Sequence, residues 1–335
     1  MIEKALAYDD VLLVPQYSRI TSRSGVDIST RLDSSRSFGF PVFASPMDTI
    51  SGVDMAVALD KEHSVAFLHR NCSILDQVGM VIDIYEKNPE QNYVAAAVGI
   101  AGDYKQRFDQ LSKAGVSIFV LDVAHGYHDQ MRIAISELKG MDRRDRKGRP
   151  VHIMAGNVAN AEGYIALSHW GADSVRVGIG GGSICSTRVQ TGHGVPTFES
   201  VRRCAQHHTG VPIIACGGAR NSGDVVKALA AGASGVLSGA LFKGTDETPT
   251  NGIYRGMASL EAKKAGGLTS EYVEGVSSRC DDRGPVKQVV KDLSDGIRSG
   301  LSYSGASNLE QLRANAVWVS QTVAGQRESS PHVLF

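Results

Sequence analysis

Ser174-Val175-Arg176-Val177-Gly178-Ile179-Gly180-Gly181-Gly182-Ser183-Ile184-Cys185-Ser186-Thr187-Arg188 is a short apolar, β-branched run that opens directly into a glycine-rich loop. The first five residues read as a strand; the loop that follows holds one cysteine with hydroxyl residues beside it. Glycines let backbone N–H groups come close to a phosphate, and Ser183 adds a hydroxyl donor. A cysteine in such a polar loop is a candidate nucleophile, whereas a core cysteine is inert. Taken alone, a glycine-rich loop is more often an ordinary tight turn.

The same strand-then-polar-loop unit recurs along the chain. Strands are predicted over 41–47, 65–69, 93–98, 118–122, 151–155, 174–178, 211–215 and 235–238. Helical patterns lie between them at 53–61, 76–87, 107–114, 130–138, 198–206 and 224–231. Strands that are apolar almost throughout belong to a parallel sheet buried on both faces. Eight strand-then-helix units fit a closed α/β fold, the (β/α)8 TIM barrel, better than a doubly wound sheet. Residues 1–40 are then an N-terminal arm and 285–335 a helical C-terminal extension. Ser45, Asp122, Asn157, the Gly180–Thr187 loop, Gly217-Gly218 and Gly239 all follow strands. In a barrel they share one rim, the rim that carries chemistry.

Composition narrows the function classes. The chain has 335 residues, 42% of them hydrophobic and 21% charged, as expected of a globular protein with an ample core. Formal net charge is +0, with no basic block, so neither nucleic acid nor a membrane surface is an expected partner. The apolar runs are too short to span a bilayer, and Met1-Ile2-Glu3-Lys4-Ala5 lacks a signal-peptide pattern. Cys72, Cys185, Cys204, Cys216 and Cys280 are odd in number and show no C-x-x-C spacing. That pattern disfavours a disulfide framework or zinc site and points to the cytoplasm.

The cysteine loop closely resembles the active-site loop of the IMP dehydrogenase/GMP reductase family, whose cysteine bonds to C2 of a purine nucleotide. Other segments that look like the family are Tyr8-Asp9-Asp10-Val11-Leu12-Leu13-Val14-Pro15, Ser45-Pro46-Met47-Asp48-Thr49, Leu121-Asp122-Val123-Ala124-His125-Gly126-Tyr127, Ala155-Gly156-Asn157-Val158 and Tyr254-Arg255-Gly256-Met257. They run in family order over nearly the whole chain. The resemblance implies a single catalytic domain over 1–335, a mobile active-site flap at about 258–284, a purine nucleoside monophosphate as substrate and a homotetramer. Only about two dozen residues separate His69 from Tyr93, so the paired regulatory module that family dehydrogenases usually insert there is absent.

The resemblance also implies a set of roles. Cys185 is the nucleophile, and Thr187 with Glu274 forms the relay that protonates departing ammonia in reductases. Ser183, Gly218, Gly239 and Tyr254 match the phosphate site. Ser45, Met47, Arg176, Cys216, Gly256 and Met257 match the base and sugar pocket. Asp122, Ala124, Gly126 and Asn157 match the nicotinamide side, with no Rossmann fingerprint. Family dehydrogenases hydrolyse the adduct with a flap Arg-Tyr pair; here Glu271 precedes Tyr272. The expected activity is therefore NADPH-dependent reductive deamination of GMP to IMP. An IMP dehydrogenase using NAD is the alternative. A catalytically silent nucleotide-binding paralogue is the other, against which the joint presence of Cys185, Thr187 and Glu274 stands.

The chain departs from the family pattern in two places. Cys216 stands where an aspartate normally grips both ribose hydroxyls. Losing two charge-assisted hydrogen bonds of about 1.5–3 kcal/mol each opens the site to dGMP, with dIMP as product. Gly181 stands where proline is usual, which is expected to loosen the loop. Tyr254-Arg255-Gly256-Met257 and Arg327-Glu328-Ser329-Ser330-Pro331-His332 look more like the dehydrogenase branch. The latter accompanies a candidate K+ site on the carbonyls of Gly180, Gly182 and Cys185.

Overall fold

The computed structural model describes residues 2–250, 252–265 and 273–329. Eight parallel strands form one sheet: β1 (Val42–Ala44), β2 (Phe67–Leu68), β3 (Ala95–Val98), β4 (Ile118–Asp122), β5 (His152–Val158), β6 (Ser174–Val177), β7 (Ile213–Cys216) and β8 (Gly235–Ser238). Each pairs with its neighbour in sequence order. The β8–β1 register (Val236↔Val42, Leu237↔Phe43) and a parallel bridge between Ala44 and Ala66 close the ring. The chain is a (β/α)8 barrel, as its alternation predicts.

Alternate residues of the strands fill the interior: Phe43, Phe67, Ala95, Ala97, Ile118, Val120, Met154, Ile214 and Leu237. This two-residue period is the reason the strands are apolar on both faces, since the other set meets the helices. Helices α1 (Val53–Lys61), α2 (Ile74–Lys87), α3 (Tyr104–Ala114), α4 (Asp129–Gly140), α5 (Ala161–His169), α6 (Thr197–Ala205) and α7 (Ser222–Ala230) follow β1 to β7. Local chemistry sets their ends. Ser73 and Asp76 form a capping box on α2, and Asn160 and Asn221 cap α5 and α7. The residues between β2 and β3 form α2 and its turns, leaving no inserted module.

The sequence pattern differs from the structure at the C-terminus. Residues 285–335 do not begin as an extension. Their first helix, α8 (Val286–Tyr303), is the eighth barrel helix, packed against α7 and α1. A long excursion between β8 and α8 separates it from its strand, which hides the pairing in sequence. Beyond α8 come a helix at Leu309–Asn315, a strand at Trp318–Ser320 and a helix at Val323–Glu328. The Trp318–Ser320 strand pairs antiparallel with Val11–Leu13 of the N-terminal arm. The arm's hairpin, Thr30–Asp33 with Arg36–Phe38, sends Leu32 and Phe38 into the interior cluster and closes the N-terminal end of the barrel. Access is thereby left to the opposite, C-terminal rim.

Candidate active site

The cysteine loop leaves the end of β6 at Gly178, whose φ of +138° and 2.2 Å approach of a built Cβ to the Cys216 carbonyl oxygen admit only glycine. Two residues after the cysteine, Thr187 opens a short helix, Thr187–Thr191. The turn between them sets up one chain of hydrogen bonds. The exposed Cys185 thiol donates to Thr187 Oγ1 at 3.1 Å, and the Thr187 hydroxyl donates to Glu274 Oε2 at 2.7 Å. A thiol, a hydroxyl and a carboxylate thus stand in line, connected for proton movement in either direction.

Glu274 is 87 positions away from Thr187, and backbone bonds bring it there. Ser186 N–H donates to Glu274 O at 3.0 Å and Val276 N–H to Ile184 O at 3.0 Å. Glu274 N–H donates to Ala258 O at 3.1 Å and Gly256 N–H to Val276 O at 3.1 Å. The limb carrying Glu274 is therefore stitched on one side to the cysteine loop and on the other to the Tyr254–Met257 segment. That segment is held in turn by the β1 loop. Arg255 Nε donates to both Asp48 oxygens (3.2 and 3.0 Å), its Nη2 also pairs with Asp48, and Asp48 N–H donates to Met257 Sδ at 3.4 Å. Within the flap expected at about 258–284, the described part holds a helix at Leu260–Ala265 and a strand at Ser277–Arg279. Glu271 and Tyr272 lie outside the described residues.

These pieces surround a cavity of about 410 Å³ at the C-terminal rim, in the range of small-molecule sites. Ser45, Met47, Asp122, Ala124, Asn157, Arg176, Gly180, Gly182, Ser183, Cys185, Thr187, Cys216, Gly218, Gly239, Tyr254, Gly256, Met257 and Glu274 all line it. At one end Ser183, the Gly217-Gly218 turn and Gly239 meet Tyr254, whose phenol burial pushes up against a hydrogen bond with Ser183. On another wall the buried Arg176 donates to Asp122 Oδ1 at 2.7 Å and to Cys216 Sγ at 3.4 Å. Burial works against its charge, but the Cys216 sulfur and the Asp122 carboxylate outweigh that and raise its pKa.

Two expectations need correction. Gly126 does not line the cavity: it is buried, donates its N–H to Asn157 O at 2.6 Å, and a Cβ there meets the Gly156 backbone at 3.0 Å. It packs the loop behind the wall. Gly181 does not loosen the cysteine loop, because Thr197 Oγ1 lies 2.3 Å from the place of its missing Cβ. The glycine is what lets α6 press against the loop. Of the candidate K+ carbonyls, Gly182 O accepts the Cys185 N–H at 3.1 Å and keeps its second lone pair. Ser330, Pro331 and His332 of the accompanying segment lie outside the described residues. Arg70, by contrast, is a cavity residue not anticipated in the sequence. It follows β2 on the same rim and donates through Nη2 to Asp122 O at 3.2 Å. Its position directly after a predicted strand was the available signal.

Comparison with known proteins agrees with this geometry. Residues 5–332 match the model of the IMP dehydrogenase / GMP reductase domain. Inosine-5'-monophosphate dehydrogenase of Nitrosopumilus maritimus is 31% identical, over 98% of this chain and 98% of its own. That of Cryptosporidium parvum is 33% identical, over 99% and 96%. Among solved structures, a GMP reductase from Trypanosoma brucei in complex with guanosine 5'-monophosphate superposes with a TM-score of 0.92 at 29% identity, covering 100% of this chain and 99% of that one. With the barrel and the whole-chain match in agreement, the protein belongs to the IMP dehydrogenase/GMP reductase family of oxidoreductases.

Proposed function

We propose that the protein is a GMP reductase-type enzyme that converts a guanine nucleoside monophosphate to the hypoxanthine nucleotide with NADPH, releasing ammonia. The observation that carries this reading is the Cys185–Thr187–Glu274 hydrogen-bonded chain. Loss of ammonia needs a nucleophile at C2 and an acid beside it, and one chain of bonds here serves both. The Cys185 thiol proton passes through the Thr187 hydroxyl to the Glu274 carboxylate. The thiolate then bonds to C2, and the same proton returns through Thr187 to the amino group, which leaves as ammonia. A nicotinamide held against Asp122, Ala124 and Asn157 would supply hydride to C2, and Cys185, released as the C2–sulfur bond breaks, would take up a proton. Overall, GMP, NADPH and two protons yield IMP, NADP+ and ammonium.

The residues present fit a nicotinamide. Asn157 Oδ1 is buried without a partner on the wall formed with Asp122 and Ala124, and a carboxamide N–H is the donor it needs. Phosphate would rest on the N–H groups of the Gly217-Gly218 and Gly239-Ala240 turns. The reading includes a single catalytic domain, a homotetramer and a cytoplasmic location, which sedimentation and cell fractionation test. The second reading, IMP dehydrogenation with NAD, is favoured by the names of the relatives in the sequence comparison.

Nicotinamide absorbance in both directions with both cofactors separates the two. The expected result is faster oxidation of NADPH with a guanine nucleotide than reduction of NAD with IMP; the reverse order refutes the proposal. Cys185→Ala should still bind nucleotide and show no turnover, and substantial activity in that variant would overturn the covalent scheme.

A further inference from the structure

We infer that the nucleotide this site prefers carries 2′-deoxyribose, so that dGMP is a better substrate than GMP. The inference rests on the reductase reading for the base and adds the sugar. A nucleotide with C2 at Cys185 Sγ and its phosphate on the Gly217-Gly218 and Gly239 turns has its sugar between those points. Cys216 directly precedes the Gly217-Gly218 turn and faces the cavity there.

A ribose 2′,3′-diol brings two hydroxyl donors to neighbouring positions, and burying both requires acceptors, most effectively one carboxylate. Among the described residues the cavity is lined by two carboxylates, and each already accepts a hydrogen bond at one oxygen. Asp122 accepts from Arg176 at 2.7 Å, and Glu274 accepts from Thr187 at 2.7 Å. At the sugar position the wall presents the Cys216 sulfur, a weak acceptor already receiving an Arg176 N–H at 3.4 Å. Nearby, Met47 adds a thioether, and the Ser45 carbonyl already accepts the Ser51 hydroxyl at 2.7 Å. Arg176 can donate to a single sugar hydroxyl, and the Ser45 hydroxyl can accept from one. With Asn157 Oδ1 assigned to the nicotinamide carboxamide, a second hydroxyl loses its water without gaining an acceptor.

The deoxy sugar presents only the hydroxyl that the wall can serve. A wall of this kind discriminates against an extra hydroxyl by about tenfold to a hundredfold, the scale of an unmet buried hydrogen bond. Substituting Cys216→Asp tests the cause, because a carboxylate there stands beside the Arg176 guanidinium, stays ionised and accepts from both ribose hydroxyls.

The experiment measures kcat/KM for GMP and dGMP with NADPH in the native enzyme and in Cys216→Asp. The expected native ratio favours dGMP about tenfold or more, and the variant shifts it toward GMP by at least tenfold. A native preference for GMP, or a ratio unmoved by Cys216→Asp, overturns the inference. If the enzyme runs instead as a dehydrogenase, the reductase reading fails by itself. IMP against dIMP with NAD then gives the same ratio and decides the sugar. Calorimetric binding of GMP and dGMP to Cys185→Ala decides it without turnover. Should Cys216→Asp fail to fold, that binding ratio alone stands as the test.

Discussion

Cys185, Thr187 and Glu274 differ in how far the sequence reveals them. The cysteine and threonine sit two residues apart, so a single loop conformation decides their contact. Glu274 reaches them only through four backbone hydrogen bonds that no local pattern encodes. If the three act as one proton path, removing any later member should break the whole path. Glu274→Gln and Thr187→Val are each expected to lower turnover about 10²-fold, and the double variant little further. Product-quenched measurement of ammonia release checks this. Additive losses would mean that the two residues act separately.

At the scale of elements, the cysteine loop is shaped by its contact with α6. Thr197 stands at the start of that helix and occupies the volume that a side chain at 181 needs, 2.3 Å from the ideal Cβ. Gly181→Ala is therefore expected to cost about 1–3 kcal/mol through overpacking, and to displace Cys185 from Thr187. Thr197→Ala in the same chain should restore both Tm and kcat. Loss of activity that Thr197→Ala leaves uncorrected would assign the role of Gly181 to its backbone rather than its lack of a side chain. The loop is not loosened as the lone glycine suggests, because Thr197, 16 positions ahead on another element, fills the space beside it.

For the molecule as a whole, the N-terminal end of the barrel is a polar clasp. Asp33 Oδ2 meets His152 Nδ1 at 2.8 Å and Arg36 Nη1 at 2.8 Å, and His152 Nε2 meets Ser174 Oγ at 2.8 Å. Burial pushes the Asp33 carboxyl up, but hydrogen bonds from His152, the Ser35 N–H and Arg36, with the charge of His152, outweigh it and hold it well below the usual range. A carboxyl depressed on folding contributes stability above its unfolded value, about 3.9, and loses it as pH falls toward the folded one. Asp33→Asn should thus destabilise the protein by about 1–3 kcal/mol at neutral pH. The gap to the native protein should narrow below pH ~4, by at most ~1.4 kcal/mol per pH unit. Urea unfolding at neutral pH and near pH ~3 measures it. A gap that stays constant would mean that the ion pair is not the cause.

The alternation of apolar runs by itself determined the barrel, because a strand buried on both faces has one sheet type to join and eight such units close a ring. The spacing of Gly180 to Thr187 determined that one rim loop carries a cysteine and a threonine together. Tertiary structure alone decided that α8 belongs to the ring, since its strand lies across an excursion of nearly fifty residues. It likewise decided that Gly126 packs behind the wall, that Arg70 joins the cavity, and that Arg176 is shared between Asp122 and Cys216. Periodicity records which face of an element is buried, whereas these contacts join residues dozens of positions apart. They are settled only when the ring closes and its loops meet on one rim.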